Sequence, residues 1–196
     1  LLDVAATLGA TVLGDAAAVR VTGLTLSSQR VEPGDLYAAL PGSHAHGAAY
    51  STDAVAAGAV AVLTDPEGAD RASAAGVPVL VVDSPRPRLG ELAAHLYGDP
   101  ATALTLMAVT GTQGKTTTTR LLESGLQGAG IPAAVVGTVG TRIGGRDVKT
   151  ALTTPEAPDL HALFAVMREQ QVRACAMEVS SHALVMGRVD GVVFDV

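Results

Sequence analysis

The chain has 196 residues and carries 13 Lys and Arg against 19 Asp and Glu, a formal net charge of −6. That balance argues against a binder of nucleic-acid backbones, which needs a basic surface. Hydrophobic residues make up 48% and charged ones 16%, enough apolar material for one large or two small packed domains and against disorder. The single cysteine, Cys175, can neither close an intrachain disulfide nor build a cysteine zinc cage, which fits a reducing, cytoplasmic setting.

At the start, Leu1-Leu2-Asp3-Val4 lacks the basic segment of a signal peptide and an initiator Met. Val19–Leu26 and Asp35–Leu40 read as strands, the second after a Pro33-Gly34 turn. Ser51–Ala57 reads as a helix, Ala59–Leu63 as a buried strand, Glu67–Ala75 as a helix closed by Gly76, and Val77–Val82 as a strand. With that series complete, a domain boundary is expected at Ser84. Pro85 opens a helix to about Tyr97, ended by Gly98-Asp99-Pro100. A second series follows: strand Leu104–Val109, helix Lys115–Gln127, strand Ala133–Val139 and a hairpin at Gly144-Gly145. Helix Pro158–Gln170, strand Arg173–Val179 and a further strand beginning over Val192–Phe194 complete it. The alternation indicates an α/β fold, with a small α/β domain over 1–84 and a second over 85–196. Because the chain stops inside that last apolar run, it reads as a piece of a longer polypeptide with its second domain incomplete. No run reaches the roughly 18 consecutive apolar residues of a membrane span.

Thr110-Gly111-Thr112-Gln113-Gly114-Lys115-Thr116-Thr117 lies directly between an apolar strand and a helix. Glycines there let backbone N–H groups approach phosphate oxygens, and the helix N-terminus adds a positive dipole end. Lys115 is expected to reach the β- and γ-phosphates and the Thr116 hydroxyl to ligate Mg²⁺. The strict phosphate-loop pattern wants glycine where Val109 stands, so the loop is a variant, and a nucleoside triphosphate is the expected ligand.

Ala174-Cys175-Ala176-Met177-Glu178-Val179-Ser180-Ser181-His182 sets one carboxylate at the end of an apolar strand. A buried charge needs a cation or a donor, and ligands of open α/β sheets bind beyond the carboxyl ends of the strands. Glu178 is thus a candidate Mg²⁺ ligand facing the phosphates; the alternative is an internal Arg partner, with Ser180 or Ser181 capping the next helix. Thr153-Thr154-Pro155-Glu156 could offer two hydroxyls to a ligand, but on local grounds it reads first as a capping box of Thr153 with Glu156. His44-Ala45-His46 lacks a third nearby ligand and reads as a loop rather than a metal site.

Taken together, these segments resemble the Mur ligases. Ser28, Val31-Glu32-Pro33-Gly34-Asp35-Leu36-Tyr37, Gly42 and His46-Gly47 resemble the first domain of members that add the third residue or the dipeptide. Gly111–Thr117 resembles their ATP loop. Leu152-Thr153-Thr154-Pro155-Glu156 and Met177-Glu178-Val179-Ser180-Ser181-His182-Ala183-Leu184 are similar to the MurE-type branch, and the Glu-Val-Ser-Ser-His string separates it from MurF and from folylpolyglutamate synthase. The order holds over nearly the whole chain, and its Ala- and Gly-rich style resembles actinobacterial members.

The resemblance implies a P-loop, mostly parallel central domain after a UDP-sugar-binding domain. It also implies an ATP-dependent peptidoglycan ligase of the cytoplasm, monomeric, using Mg²⁺. ATP would phosphorylate the free D-Glu carboxylate of UDP-MurNAc-L-Ala-D-Glu, and the amine of meso-diaminopimelate or L-lysine would attack the acyl phosphate. Carried onto this chain, Leu26, Ser28, Ser43, His44 and Ala45 would contact the uridine diphosphate end. Gly111, Thr112, Gln113, Gly114, Lys115, Thr116 and Thr117 would hold ATP, with Lys115 and Glu178 catalytic and Thr116 and Glu178 on the metal. Thr153, Thr154, Ser180 and Arg188 would hold the muramoyl-peptide part. The chain departs from the family at Ser27 and Gln29, where Asp and Arg are usual, at Gln113, where Asn or Ser is commoner, and at Met186, a Gln in some members. It ends before the family's Asp-His-Leu-Asp segment, its carbamylated Lys and its C-terminal domain, so the piece alone is expected not to turn over. A non-catalytic UDP-sugar or nucleotide-binding module, or another Mur-family ligase such as MurF, is the alternative reading.

Overall fold

Short apolar runs become strands where a parallel neighbour takes up their backbone groups, and two such sheets form here. In the computed structural model, which describes residues Leu1–Val196, the chain divides into two units, Leu1–Leu92 and Ala93–Val196.

The first unit runs α1 (Leu2–Leu8), β1 (Thr11–Leu13), β2 (Gly23–Thr25), β3 (Asp35–Ala38), α2 (Ser51–Ala57), β4 (Ala61–Thr64), α3 (Ala69–Ser73), β5 (Val79–Val81) and the start of α4 (Leu89–Leu96). Its sheet has the order β1-β5-β4-β3-β2, with β2 to β5 parallel and β1 antiparallel to β5. Leu36, Leu63 and Leu80 are fully buried, as a sheet covered on both faces demands. The strand expected over Val19–Leu26 is shorter. The N-terminal amine takes the Val19 carbonyl at 2.8 Å, and the parallel ladder with β3 begins only at Gly23. Arg88 donates to the carbonyls of Thr7 (2.9 Å) and Leu8 (3.3 Å), and Leu89 and Leu92 are buried. These contacts hold the start of α4 to the first unit, so the division falls inside that helix and not at Ser84.

The second unit continues with β6 (Thr105–Val109), α5 (Lys115–Gly128), β7 (Ala133–Val136), β8 (Thr141–Ile143), β9 (Arg146–Val148), α6 (Ala157–Glu169), β10 (Ala174–Glu178) and α7 (Ser181–Val185). The sheet order is β6-β10-β7-β8-β9; β10 is parallel to β6 and β7, and the β8–β9 hairpin is antiparallel. Parity decides which side chains share a face. Leu106, Ala134, Val136, Cys175 and Met177 pack with Leu160, Phe164 and Met167 of α6. Glu178, one residue on, therefore belongs to the opposite face, where α5 packs on β10 and β7. The strand expected to Val139 stops at Val136 because Gly137–Gly140 closes a turn, Gly140 N donating to Gly137 O at 3.0 Å. Val192–Phe194 is not a strand: pairing with β6 starts only at Asp195, whose N donates to Leu106 O at 2.9 Å. No helix is long and apolar enough to cross a membrane.

His161 of α6 is fully buried, edge-on to Phe164 at 5.9 Å between centroids, and neither ring nitrogen has a hydrogen-bond partner. Burial pushes its pKa below the usual 6.5, outweighing the nearby Asp190 backbone and the Asp99 charge. The unfolded chain then takes a proton that the folded one refuses. The stability this confers is complete above 6.5 and is lost as pH falls from there toward the lowered folded value. In thermal melts taken from neutral pH down to about pH 5, Tm should fall more steeply for the native chain than for His161→Leu. Equal slopes would acquit the histidine.

Candidate functional site

In the second unit, β6 ends at Val109 and α5 starts at Lys115, so the glycine-rich loop joins strand to helix as its sequence demands. Gly111 and Gly114 hold φ of 131° and 82°, conformations that side-chain-bearing residues rarely adopt. Thr112, Gln113 and Thr117 are exposed, and Gly114 caps a helix of 14 residues. Lys115 Nζ reaches back across the loop to donate to Gly111 O at 2.7 Å. Such a loop turns backbone N–H groups and a helix dipole toward one point, the arrangement that receives phosphate oxygens.

Glu178, 1% exposed, ends β10 beside that loop. Its Oε1 accepts from Thr116 Oγ1 at 2.8 Å and from Thr138 N at 3.0 Å, and its Oε2 accepts from Thr138 Oγ1 at 3.0 Å. These partners are neutral, and the internal Arg considered as an alternative is not among them. A buried carboxylate met only by neutral donors remains short of a counter-charge. The all-oxygen pair of Glu178 and Thr116 fits a hard divalent cation such as Mg²⁺, which takes one or two carboxylates and fills its shell with phosphate oxygens and water. No group of three or more His, Cys, Asp or Glu is gathered anywhere.

The segment before α6 does not form the capping box. The cap position falls at Glu156, with no side-chain bond to the helix, and Pro158 stands in the first turn. Thr153 Oγ1 instead meets Thr138 Oγ1 at 3.0 Å. Thr154 Oγ1 donates to Glu178 O at 2.9 Å and accepts from Ser180 N at 3.3 Å, while Glu156 pairs with Arg188 Nε at 2.8 Å. Arg188 also donates to Thr154 O at 3.5 Å. The Ser180 hydroxyl caps α7, accepting from Ala183 N at 3.1 Å. Thr153, Thr154, Ser180 and Arg188 thus form one connected cluster on Glu178.

In the first unit, Leu26 and Ser28 follow β2, and Ser43, His44 and Ala45 form an exposed loop after β3. Because β2 and β3 are parallel neighbours, both segments leave the same carboxyl edge of the sheet, where ligands of such sheets bind. His46 closes that loop. Its Nδ1 accepts from Ala48 N at 3.0 Å, which fixes the proton on Nε2, directed at Asp65 Oδ1 2.9 Å away. His46 is therefore a structural latch at the base of the loop.

Sequence reading missed Gly137 and Thr138. A Cβ added at Gly137 would lie 2.3 Å from Glu178 Oε1, so only glycine lets the carboxylate rest on the backbone there. Arg120 steadies the same turn, donating to Gly140 O at 3.3 Å while paired with the buried Glu123 at 3.3 Å. The available signal was positional: Gly137-Thr138-Val139-Gly140 leaves an apolar strand at the same sheet edge as Glu178. Gly137→Ala should cost about 1–3 kcal/mol in urea unfolding, in the range of an overpacked core. Combined with Glu178→Ala it should cost less than the two single changes summed, since the clash is then gone. Strict additivity would refute the contact.

Residues 109–196 match the Mur ligase middle domain, and residues 20–97 match the Mur ligase family catalytic domain. The chain is 62% identical over 176 residues to the UDP-N-acetylmuramoyl-L-alanyl-D-glutamate–2,6-diaminopimelate ligase of Streptomyces avermitilis, covering 90% of this chain and 35% of that relative. It is 52% identical over its full 196 residues to the UDP-N-acetylmuramyl-tripeptide synthetase of Leifsonia xyli, of which it spans 38%. A solved UDP-N-acetylmuramoyl-L-alanyl-D-glutamate–2,6-diaminopimelate ligase superposes with a TM-score of 0.69 at 29% identity, over 87% of this chain and 34% of the other. The chain thus spans about a third of the length of the relatives it matches. With both units matched and the strand, loop and carboxylate in the expected order, the chain belongs to the Mur ligase family.

Proposed function

We propose that this chain is the UDP-sugar-binding unit and the nucleotide-binding part of a MurE-type ligase, one that adds a diamino acid to UDP-MurNAc-L-Ala-D-Glu at the expense of ATP. The observation that carries the reading is the carboxylate of Glu178. It accepts from Thr116 of the phosphate loop and, through Thr138, is linked to Thr153. One buried group thus touches the expected nucleotide site and the expected peptide site.

Gly111, Thr112, Gln113, Gly114 and Thr117 supply loop and first-turn backbone to the phosphates, and Lys115 gives up Gly111 O to neutralise them. Thr116 and Glu178 would hold Mg²⁺, which would supply charge screening at the phosphates. Thr153, Thr154, Ser180 and Arg188 orient the muramoyl-peptide, and Leu26, Ser28, Ser43, His44 and Ala45 hold its uridine diphosphate. The D-Glu carboxylate takes the γ-phosphoryl group from ATP with release of ADP, and the amine of the diamino acid then attacks the acyl phosphate, losing a proton and expelling phosphate as the amide forms. The catalysis asked of this chain is positioning and charge neutralisation. On this reading the protein works in the cytoplasm, as a monomer, without nucleic acid.

Calorimetry tests the reading. UDP-MurNAc-L-Ala-D-Glu should bind in preference to UDP-glucose, and Ser28→Ala should weaken it. A non-hydrolysable ATP analogue with Mg²⁺ should bind at least about tenfold more weakly to Lys115→Ala, the loss of one charge-assisted contact. Absence of both ligands' binding from a chain shown by circular dichroism to be folded would sink the proposal.

A further inference from the structure

We propose that Thr138 is a relay by which occupation of the Glu178 carboxylate sets whether Thr153 offers a ligand a proton or a lone pair. The inference rests on the reading above, that the phosphate loop and Thr153 serve two ligands of one ligase. A carboxylate only accepts, so the 3.0 Å contact from Thr138 Oγ1 to Glu178 Oε2 consumes the one hydroxyl proton of Thr138. The 3.0 Å contact between the Thr138 and Thr153 hydroxyls must then run the other way, with Thr153 donating. Its proton spent inward, Thr153 presents only lone pairs, which disfavour an acidic or carbonyl oxygen brought against it.

Oε1 is already bridged by Thr116 Oγ1 and Thr138 N. With Oε1 so occupied, a cation held at this carboxylate would take up the lone pairs of Oε2, and the Thr138 hydroxyl would be released from it. It can then donate to Thr153 Oγ1, and the Thr153 proton turns outward as a donor for a carboxylate or carbonyl oxygen. Thr154 cannot relay in this way, because its hydroxyl donates to Glu178 O and accepts from Ser180 N, whatever happens at the carboxylate. Nor can the carboxylate back away on the Gly137 side, where it already rests against the backbone. The cation-bound nucleotide and the acidic acyl ligand should therefore strengthen one another's binding, and reciprocally so.

The test is to titrate UDP-MurNAc-L-Ala-D-Glu calorimetrically into the chain alone, with a non-hydrolysable ATP analogue plus Mg²⁺, and with the analogue plus EDTA. The analogue with Mg²⁺ should tighten binding about tenfold, within the usual span of coupling between sites, and the analogue with EDTA should not. In Thr138→Val that ratio should fall to near one, and Thr138→Ser, which keeps the hydroxyl, should restore it. Thr153→Val breaks the relay at its half-buried end and should lose the ratio too, which keeps the test whole if Thr138→Val fails to fold. A full ratio surviving in Thr138→Val, or one indifferent to EDTA, overturns the relay while leaving the proposed function intact. So does binding of both ligands by the native chain without mutual effect. A folded native chain that binds neither ligand overturns the function itself, and the relay with it.

Discussion

A single buried carboxylate, Glu178, organises the second unit. It stands at the end of β10, 1% exposed, with three hydrogen bonds from neutral groups on two other segments. Leaving a charge in that position is costly, by several kcal/mol for an ion without a counter-ion, so its neighbours are arranged to soften the cost. Glycine at 137 brings a backbone N–H to the carboxylate, Thr154 ties down the carbonyl of Glu178, and Thr116 turns a hydroxyl inward from the first turn of α5. The remaining deficit of positive charge is what the proposed divalent cation and its phosphates would fill.

Strand parity puts the carboxylate there. On β10 the odd positions Cys175 and Met177 enter the core against α6, and Glu178 falls on the face toward α5. A slip of one residue would bury the charge among Leu160, Phe164 and Met167 and present Met177 to the phosphate loop. Pairing on both sides, with Leu106 and Ala134 opposite Cys175, prevents such a slip. The Arg120–Glu123 pair and the bond from Arg120 to Gly140 then fix the turn that carries Thr138, so the donors are held as firmly as the acceptor.

The first unit follows the same logic with a different ligand edge. Its loops after β2 and β3 emerge side by side because those strands are parallel neighbours, and the His46–Asp65 contact pins the base of the second loop while Ser43, His44 and Ala45 stay exposed. The buried carboxylate there, Asp65 just after β4, is met by His46 Nε2 and Gly68 N, where that of Glu178 is met by threonines. The exposed polar edge suits a ligand held by many modest contacts, and the phosphate loop with its carboxylate suits one held by charge.

Much of this was legible in the sequence, for reasons that separate cleanly. The phosphate loop could be read because strand, glycines, Lys115, Thr116 and helix are contiguous, and backbone conformation is settled locally. Glu178 stood out because an ionisable residue closing an apolar strand is conspicuous, and the Gly144-Gly145 hairpin because turn chemistry is local. The capping box at Thr153 and Glu156 misled, since local pattern favours it while Thr138 and Arg188 compete for the same side chains from 15 and 32 residues away. Thr138 itself carried no mark beyond following a glycine at a strand end. By itself, the sequence determined the alternation of strands and helices, the phosphate loop and the identity of the one carboxylate, because each depends on residues adjacent in the chain. Only the tertiary structure decided that Thr116 and Glu178, 62 residues apart, share a hydrogen bond and that Thr138 links them to Thr153. Those contacts depend on the strand order β6-β10-β7, which no local pattern encodes.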